Sequence, residues 1–515
     1  MEILKNIIEY FSLFFGVLLT LLMISRLANL FQQSHYHFSS IPLVLKYYYY
    51  RNGVFLLPLA PLVFLAGYWY AQLLYLIYSL TLLYFYEKRP PIIKLKITPR
   101  VRRLLVTLFL ISIISGTLLH FLLPLPQLHS SLAIVHLSLP LFVFLAAAIA
   151  YPVEYAVARY YQLKAGKKLK KYNPTVIGVT GSYGKTTTKN ILFTMMREKE
   201  MVLCTDKSYN TPNGIALNVN QKLYPDYGWF IAEMGASRKG DIKKLVNFLR
   251  PRYGVVTSVG PQHLKSFKSM DNIIAEKTAL IDGLPADGVG VINVDCEHLS
   301  NREYKTSARI VTFGINREAD YRAINIVADT RGLRFTVRYP GGEAEIETLL
   351  LGRHNVYNLL ASFALAKELG VPVSEIVFQA ARLEPVKNRL SVAQDGRYTI
   401  LEDAYNSNPA GFASALEVLA RGKKPRVLIT PGIVETGPLE KEINYGLAEK
   451  IAAVCDYVVL ISSPTGLIIK KGLEDYGFSN FSVVKDYREA IARVKSEFPA
   501  ATVLVENDIA DIYKI

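Results

Sequence analysis

The run Thr180-Gly181-Ser182-Tyr183-Gly184-Lys185-Thr186-Thr187-Thr188 follows an apolar, β-branched stretch, Thr175 to Val179, and leads into a helical pattern, Thr186 to Met196. Strand, glycine-rich turn and helix N-terminus in that order leave little freedom for the local fold. Backbone N–H groups and the positive end of the helix dipole then converge on one point, which makes a phosphate cradle. Gly181, Ser182, Tyr183 and Gly184 form its turn, Lys185 reaches the terminal phosphates, the Thr186 hydroxyl ligates Mg²⁺, and Thr187 continues the cradle. The common form of the motif has a glycine five residues before Gly184, where this chain has Val179; Gly178 and Gly181 flank it instead. The expected ligand is ATP or GTP.

Hydrophobic residues make up 51% of the 515, and the excess lies almost entirely before residue 155. Ile7 to Leu30, Leu104 to Leu123 and Leu132 to Tyr151 are each long and apolar enough to span a bilayer. Val54 to Tyr86 is either one long tilted span or two short ones, because a single helix of that length would run roughly 50 Å against a hydrocarbon core of about 30 Å. The count is four or five helices, with no cleavable signal peptide expected. Lys88 to Arg103 carries seven Lys and Arg residues, and Arg159, Lys164, Lys167, Lys168, Lys170 and Lys171 follow the last span, whereas Pro124 to Ser131 carries no Lys or Arg. The positive-inside rule puts both basic segments, and the catalytic domains after them, in the cytoplasm of a multi-pass protein of the cell membrane. The formal net charge of +16 is then a matter of topology and membrane lipid, and no nucleic-acid partner is expected. Three cysteines without paired spacing indicate neither a disulfide framework nor a zinc site.

After Thr175 the chain alternates short apolar strands with helices, the pattern of a mostly parallel sheet. Strands are expected at Val176–Val179, Trp229–Met234, Gly254–Val259 and Gly288–Asn293, and antiparallel hairpins between Tyr321 and Leu351 with a turn at Gly341-Gly342. A second βα series begins at Tyr398. The fold class is therefore α/β behind an α-helical transmembrane region. The expected domains are a membrane region over 1–155, a basic linker over 156–173, a P-loop central domain over 174–386, and a Rossmann-like C-terminal domain over 387–515.

TGSYGKTTTKN, SYNTPNGIALNVN, AEMGAS (from Ala232), SVGPQHLKSFKS (from Ser258), AEKTALI (from Ala275), GRHNVYNLLASFALA (from Gly352), PVKNRL (from Pro385) and EDAYNSNPAGFASAL (from Glu402) occur in this order. In order and spacing they resemble the Mur ligase family, nearest to the type that adds D-alanyl-D-alanine to a UDP-linked muramoyl tripeptide. The resemblance covers about residues 172–515. It implies a ligase that joins a carboxylate to an amine at the expense of ATP, through an acyl phosphate, in peptidoglycan synthesis.

The resemblance also implies roles for particular residues. Glu233 matches a metal-ligating glutamate, and His263 a histidine near a second Mg²⁺. Lys277 matches a lysine that many members carry as a carbamate. Lys185, Lys277 and His263 would thus carry catalysis, with Thr186, Glu233, His263 and Lys277 around two Mg²⁺ ions. Asn355 and Asn358 match a pair beside the adenine, Arg389 a nucleotide-contacting arginine, and Asp403 an acid at the ribose. Asn406 and Asn408 either shape the loop facing the cleft or form a plain turn.

Two segments depart from the pattern. Members of this type begin with a small soluble domain that binds the uridine nucleotide, whereas this chain has membrane spans, and nothing before Lys171 resembles a UDP site. The stretch Leu504-Val505-Glu506-Asn507-Asp508 replaces a glycine- and serine-containing one. The expected partners are ATP, a carboxylate-bearing cell-envelope precursor that is either UDP-linked or lipid-linked, and an amine such as a dipeptide. Ligases for another envelope polymer and a P-loop ATPase of a transporter are the competing readings. The last predicts a catalytic aspartate pair or a transporter signature, and neither is present.

Overall fold

The computed structural model describes residues 2–34, 36, 42, 44–45, 48, 69–88, 94–122, 128–198, 201–206, 209–262, 264–329, 331–385, 390–403, 408–434 and 436–507. The chain divides into two compact units, meeting in sequence between Ala158 and Arg159.

The first unit is built from helices α1 (Glu2–Gln33), α2 (Trp69–Lys88), α3 (Pro99–Leu122) and the first part of α4 (Leu128–Tyr172). Leu19, Met23, Leu27, Tyr75, Leu108, Leu139 and Val143 pack inside the bundle. Phe14, Leu18, Ile77, Val106, Leu110, Ile113, Leu141 and Leu145 face outward. An outer surface this apolar is costly in water and neutral against lipid chains. Among the described residues, α1, α3 and α4 are long and apolar enough to cross a membrane, and α2 holds a shorter apolar stretch, Tyr70–Phe85. Residues 54–68 of the long apolar stretch lie outside the described set, so the choice between one span and two there falls outside it too. Arg103 Nε donates to Glu154 Oε1 at 2.6 Å, which sets the basic start of α3 beside the far end of the apolar part of α4. Polar groups meet inside the bundle where the sequence shows only scattered ones: Thr20 Oγ1 lies 2.7 Å from His136 Nε2.

The basic segment read as a linker over 156–173 is helical through Tyr172, the last part of the 45-residue α4. Its alanine, leucine, glutamine and lysine residues are strong helix formers that outweigh the single Gly166, and the helix stops only before Asn173-Pro174.

The second unit opens with β1 (Thr175–Thr180), α5 (Lys185–Met196), β2 (Val202–Cys204), α6 (Pro212–Lys222), β3 (Trp229–Glu233), α7 (Asp241–Leu249) and β4 (Tyr253–Val256). It continues with α8 (Leu264–Phe267), α9 (Met270–Asp282), β5 (Val289–Asn293), α10 (Glu297–Ser300) and β6 (Arg309–Gly314). Strands β7 (Tyr321–Asp329), β8 (Gly332–Tyr339) and β9 (Gly342–Thr348) and helices α11 (His354–Glu368) and α12 (Val373–Ala381) complete this part. The sheet order is β2-β3-β1-β4-β5-β6-β7-β8-β9, with parallel pairs up to β7 and antiparallel pairs after it. Alternation along β1 feeds two cores, as the period of a strand demands. Ile177 and Val179 pack with Ile191, Leu192, Leu360 and Phe363 of α5 and α11, while Val176 packs with Ile215, Leu245 and Ile281 of α6, α7 and α9.

The chain passes from β3 to β4 across β1, so β1 lies between them. A crevice at the carboxyl ends of the strands is expected where the winding reverses in this way. Val179 is in register with Glu233 and Thr180 with Val256, which brings the glycine-rich turn, the end of β3 and the segment after β4 to one edge.

The remaining part has β10 (Ser391–Asp395), β11 (Tyr398–Asp403), α13 (Pro409–Ala420), β12 (Arg426–Thr430), α14 (Glu440–Val454), β13 (Tyr457–Ile461), α15 (Pro464–Asp475), β14 (Phe481–Val484), α16 (Tyr487–Glu497) and β15 (Ala501–Glu506). Its order is β10-β11-β15-β12-β13-β14, parallel except at the edge strand β10. Helices α13, α14 and α15 cover one face and α16 the other. Asp403 and Glu506 are register partners at its carboxyl edge.

Candidate active site

The glycine-rich turn is held from three sides. Gly181 and Gly184 both have positive φ, 149° and 79°, and a Cβ on Gly181 would collide with Thr257 Oγ1. Behind the turn, Ser182 N–H donates to Ser258 O at 2.7 Å, Gly260 N–H donates to Ser182 Oγ at 3.0 Å, and Thr257 Oγ1 donates to Tyr183 O at 2.5 Å. Burial raises the Tyr183 phenol to about 12, so it stays neutral. Lys185 Nζ folds over the turn, donating to Gly181 O at 2.8 Å and Ser182 O at 3.0 Å. Thr186 and Thr187, in the first turn of α5, are buried.

Glu233 ends β3 and is only 1% exposed. Its Oε1 accepts from Asn210 Nδ2 at 3.0 Å, whereas its Oε2 has no hydrogen-bond partner. A buried carboxylate oxygen without a donor is costly unless a cation meets it. The residues therefore fit Mg²⁺, a hard cation that takes one or two carboxylates and completes its shell with water and phosphate oxygens.

Lys277 comes from α9 and is also buried. Burial, helped by the nearby charge of Lys185, lowers it to about 7 against the pull of Glu276 and Asp241. Glu276 itself is taken up by the start of α7, accepting from Gly240 and Ile242 N–H at 2.6 and 2.5 Å.

Asn355 and Asn358 are buried on one side of α11, but their amides are occupied within the protein. Asn355 Nδ2 donates to Leu351 O at 2.7 Å, and Asn358 Nδ2 donates to Asn355 Oδ1 at 2.8 Å. Asn358 Oδ1 accepts from Thr188 Oγ1 at 3.2 Å and abuts Gly184. The pair thus pins α11 to the glycine-rich turn. Asp403 Oδ1 accepts from Leu390 N–H at 3.1 Å. Asn408 caps α13, accepting from Gly411 N–H at 3.0 Å, which is the turn-forming alternative of its two sequence readings. His263, Arg389 and Asn406 lie outside the described residues. Asn210 was given no role by the sequence, although it lies inside SYNTPNG; its only signal was a place in that run.

The model of the Mur ligase middle domain matches residues 179–366, and that of the Mur ligase glutamate ligase domain matches 382–506. The chain belongs to the Mur ligase family. This Mur ligase is 30% identical over 284 residues to the UDP-N-acetylmuramoyl-tripeptide–D-alanyl-D-alanine ligase of Escherichia coli, covering 54% of this chain and 63% of that enzyme. It is 30% identical to the enzyme of the same name from Bacillus subtilis, over 54% of this chain and 60% of that one. It therefore spans about three fifths of these curated relatives. MurF from Thermotoga maritima in complex with ADP superposes with a TM-score of 0.61 at 25% identity, covering 68% of this chain and 80% of that one. MurF from Acinetobacter baumannii gives 0.62 at 23% identity over 68% and 77%, a likeness of fold. The turn, Glu233, Lys277 and both asparagines of this Mur ligase fall in the middle-domain match, Asp403 in the second, and α1 to α4 in neither.

Proposed function

We propose that this Mur ligase is a membrane-anchored, ATP-dependent amide ligase of the MurF type, facing the cytoplasm and acting on a cell-wall peptide precursor. The observation that carries the reading is the meeting of the glycine-rich turn and the buried Glu233 at one edge of the first sheet. In this reading the precursor carboxylate attacks the γ-phosphate of ATP, giving an acyl phosphate and ADP. The amine, D-alanyl-D-alanine or a similar one, then displaces phosphate through a tetrahedral intermediate. Lys185 and the N–H groups of the turn would offset charge on the transferring phosphoryl group. Thr186 and Glu233, with His263 and a carbamate on Lys277, would hold Mg²⁺, whose chemistry there is to neutralise phosphate charge. A lysine near 7 is about half neutral at pH 7, and only the neutral amine adds carbon dioxide. Asn355, Asn358, Arg389 and Asp403 would line the nucleotide side. The domain boundaries read from the sequence, at about residues 155, 173 and 386, belong to the same proposal.

The apolar surfaces of α1, α3 and α4 favour a second form of the reading, in which the acceptor is lipid-linked. The test is ADP release by the full chain in membranes, with D-alanyl-D-alanine and either UDP-linked or lipid-linked muramoyl tripeptide. ADP release that requires both amine and acceptor supports the ligase, and the preferred acceptor decides between its forms. Strong ATP turnover without any amine would point to a transport ATPase instead.

A further inference from the structure

Lys189 lies one turn beyond Lys185 on α5 and is 1% exposed, a rare depth for a lysine. Its Nζ donates to Thr205 O at 2.6 Å. It stands 3.9 Å from Glu233 Oε2, within ion-pair range but beyond hydrogen-bond distance. Thr205 touches both partners, because its Oγ1 accepts from Glu233 N–H at 3.0 Å. Oε1 of the same carboxylate is held by the neutral amide of Asn210. A buried ion pair left to itself closes to about 2.8 Å, since contact is what offsets desolvation. Here the ammonium donates to the Thr205 carbonyl instead, and Oε2 has no hydrogen-bond partner.

We propose that Lys189 is a positioning residue for the metal site: a resident counter-charge that compensates Glu233 while no metal is bound and, by repulsion, limits how tightly a dication binds there. The inference rests on Glu233 being a Mg²⁺ ligand, as proposed above. A purely structural lysine would make the opposite prediction, because removing it would loosen the site and weaken the metal. A counter-charge lowers metal affinity, so removing it strengthens binding while destabilising the metal-free protein. Like charges a few ångströms apart at a protein effective dielectric interact strongly enough to change affinity by about tenfold or more.

The test uses the full chain in detergent with a non-hydrolysable ATP analogue and Mn²⁺ as the probe, reading free Mn²⁺ by electron paramagnetic resonance and melting in the absence of metal. Lys189→Met is expected to bind Mn²⁺ about tenfold more tightly than wild type and to melt lower when metal-free. Glu233→Gln is expected to weaken Mn²⁺ at least tenfold. The double variant should melt above Lys189→Met, because no uncompensated carboxylate remains. If Lys189→Met fails to fold while the double variant folds, the counter-charge role is supported; if neither folds, Lys189 is a packing residue and the proposal is overturned. Unchanged or weaker Mn²⁺ binding in Lys189→Met, with Glu233→Gln still defective, overturns the role of Lys189 alone. Unchanged binding in Glu233→Gln overturns the ligand assignment first, and the proposal with it.

Discussion

Gly184→Ala tests the geometry of the phosphate cradle. Gly184 is the N-cap of α5 with φ 79° and ψ −9°, a left-handed conformation that costs an alanine about 1–2 kcal/mol. Its new Cβ would meet Asn358 Oδ1, which is not free to move away. Asn358 accepts from Thr188 and donates to Asn355, and turning it aside loses two hydrogen bonds worth about 1 kcal/mol each. The expected cost is about 3 kcal/mol on the binding-competent turn, which is roughly a hundredfold in ADP affinity by calorimetry. In an Asn358→Ala background the collision disappears and only the backbone strain remains, so the cost of Gly184→Ala should fall to about 1–2 kcal/mol. The coupling between the two sites is the quantity that matters. An equal cost in both backgrounds would show that Asn358 does not brace the turn, and the account of the asparagine pair would fail.

Other perturbations have equally definite outcomes. Lys277, lowered to about 7, should take up carbon dioxide above that pH and lose the carbamate as the amine protonates below it; carbon-13 NMR with labelled bicarbonate should show a carbamate signal that fades below about pH 7, and a signal insensitive to pH would contradict this. Lys277→Ala should be inactive but partly rescued by short carboxylic acids that replace the carbamate, and absence of rescue would count against the anionic role. Asn210→Ala removes the donor that orients Glu233 and should weaken Mg²⁺ activation by about tenfold to a hundredfold, as losses of this kind do in other metal sites. Asn408→Ala should lower stability by about 1 kcal/mol through the lost cap, without changing the affinity for ADP.

What was legible in the sequence follows period and length. β1, α5 and β3 carry regular patterns and were readable within a residue of their ends. β2 and β10 were not, because three to five residues at or near a sheet edge carry too little alternation, and β6 was passed over between stronger signals. Helix α6 begins with Thr211 as N-cap and Pro212 in its first turn, a start signal masked by the motif that contains it. In the site, the cradle was legible because strand, glycine-rich turn and helix adjoin in the sequence, whereas Glu233 was singled out through the family resemblance. The contacts that complete it join residues distant in sequence: Asn210 with Glu233, Thr257 with the turn, and Asn358 with Thr188. No single-residue property announces such pairs; the placing of β3 and β4 on either side of β1 creates the first two, and the packing of α11 on α5 creates the third. The inward use of the Asn355 and Asn358 amides was likewise invisible, since the same residue type serves a ligand or a packed helix equally well.

The most direct measurement of the central claim follows one oxygen atom. An acceptor labelled with heavy oxygen in its reacting carboxylate is incubated with the full chain, ATP, Mg²⁺ and D-alanyl-D-alanine, and the released phosphate is analysed by mass spectrometry. A ligase working through an acyl phosphate leaves one labelled oxygen in each phosphate for each amide bond formed. Unlabelled phosphate, or phosphate released without a new amide bond, would contradict it.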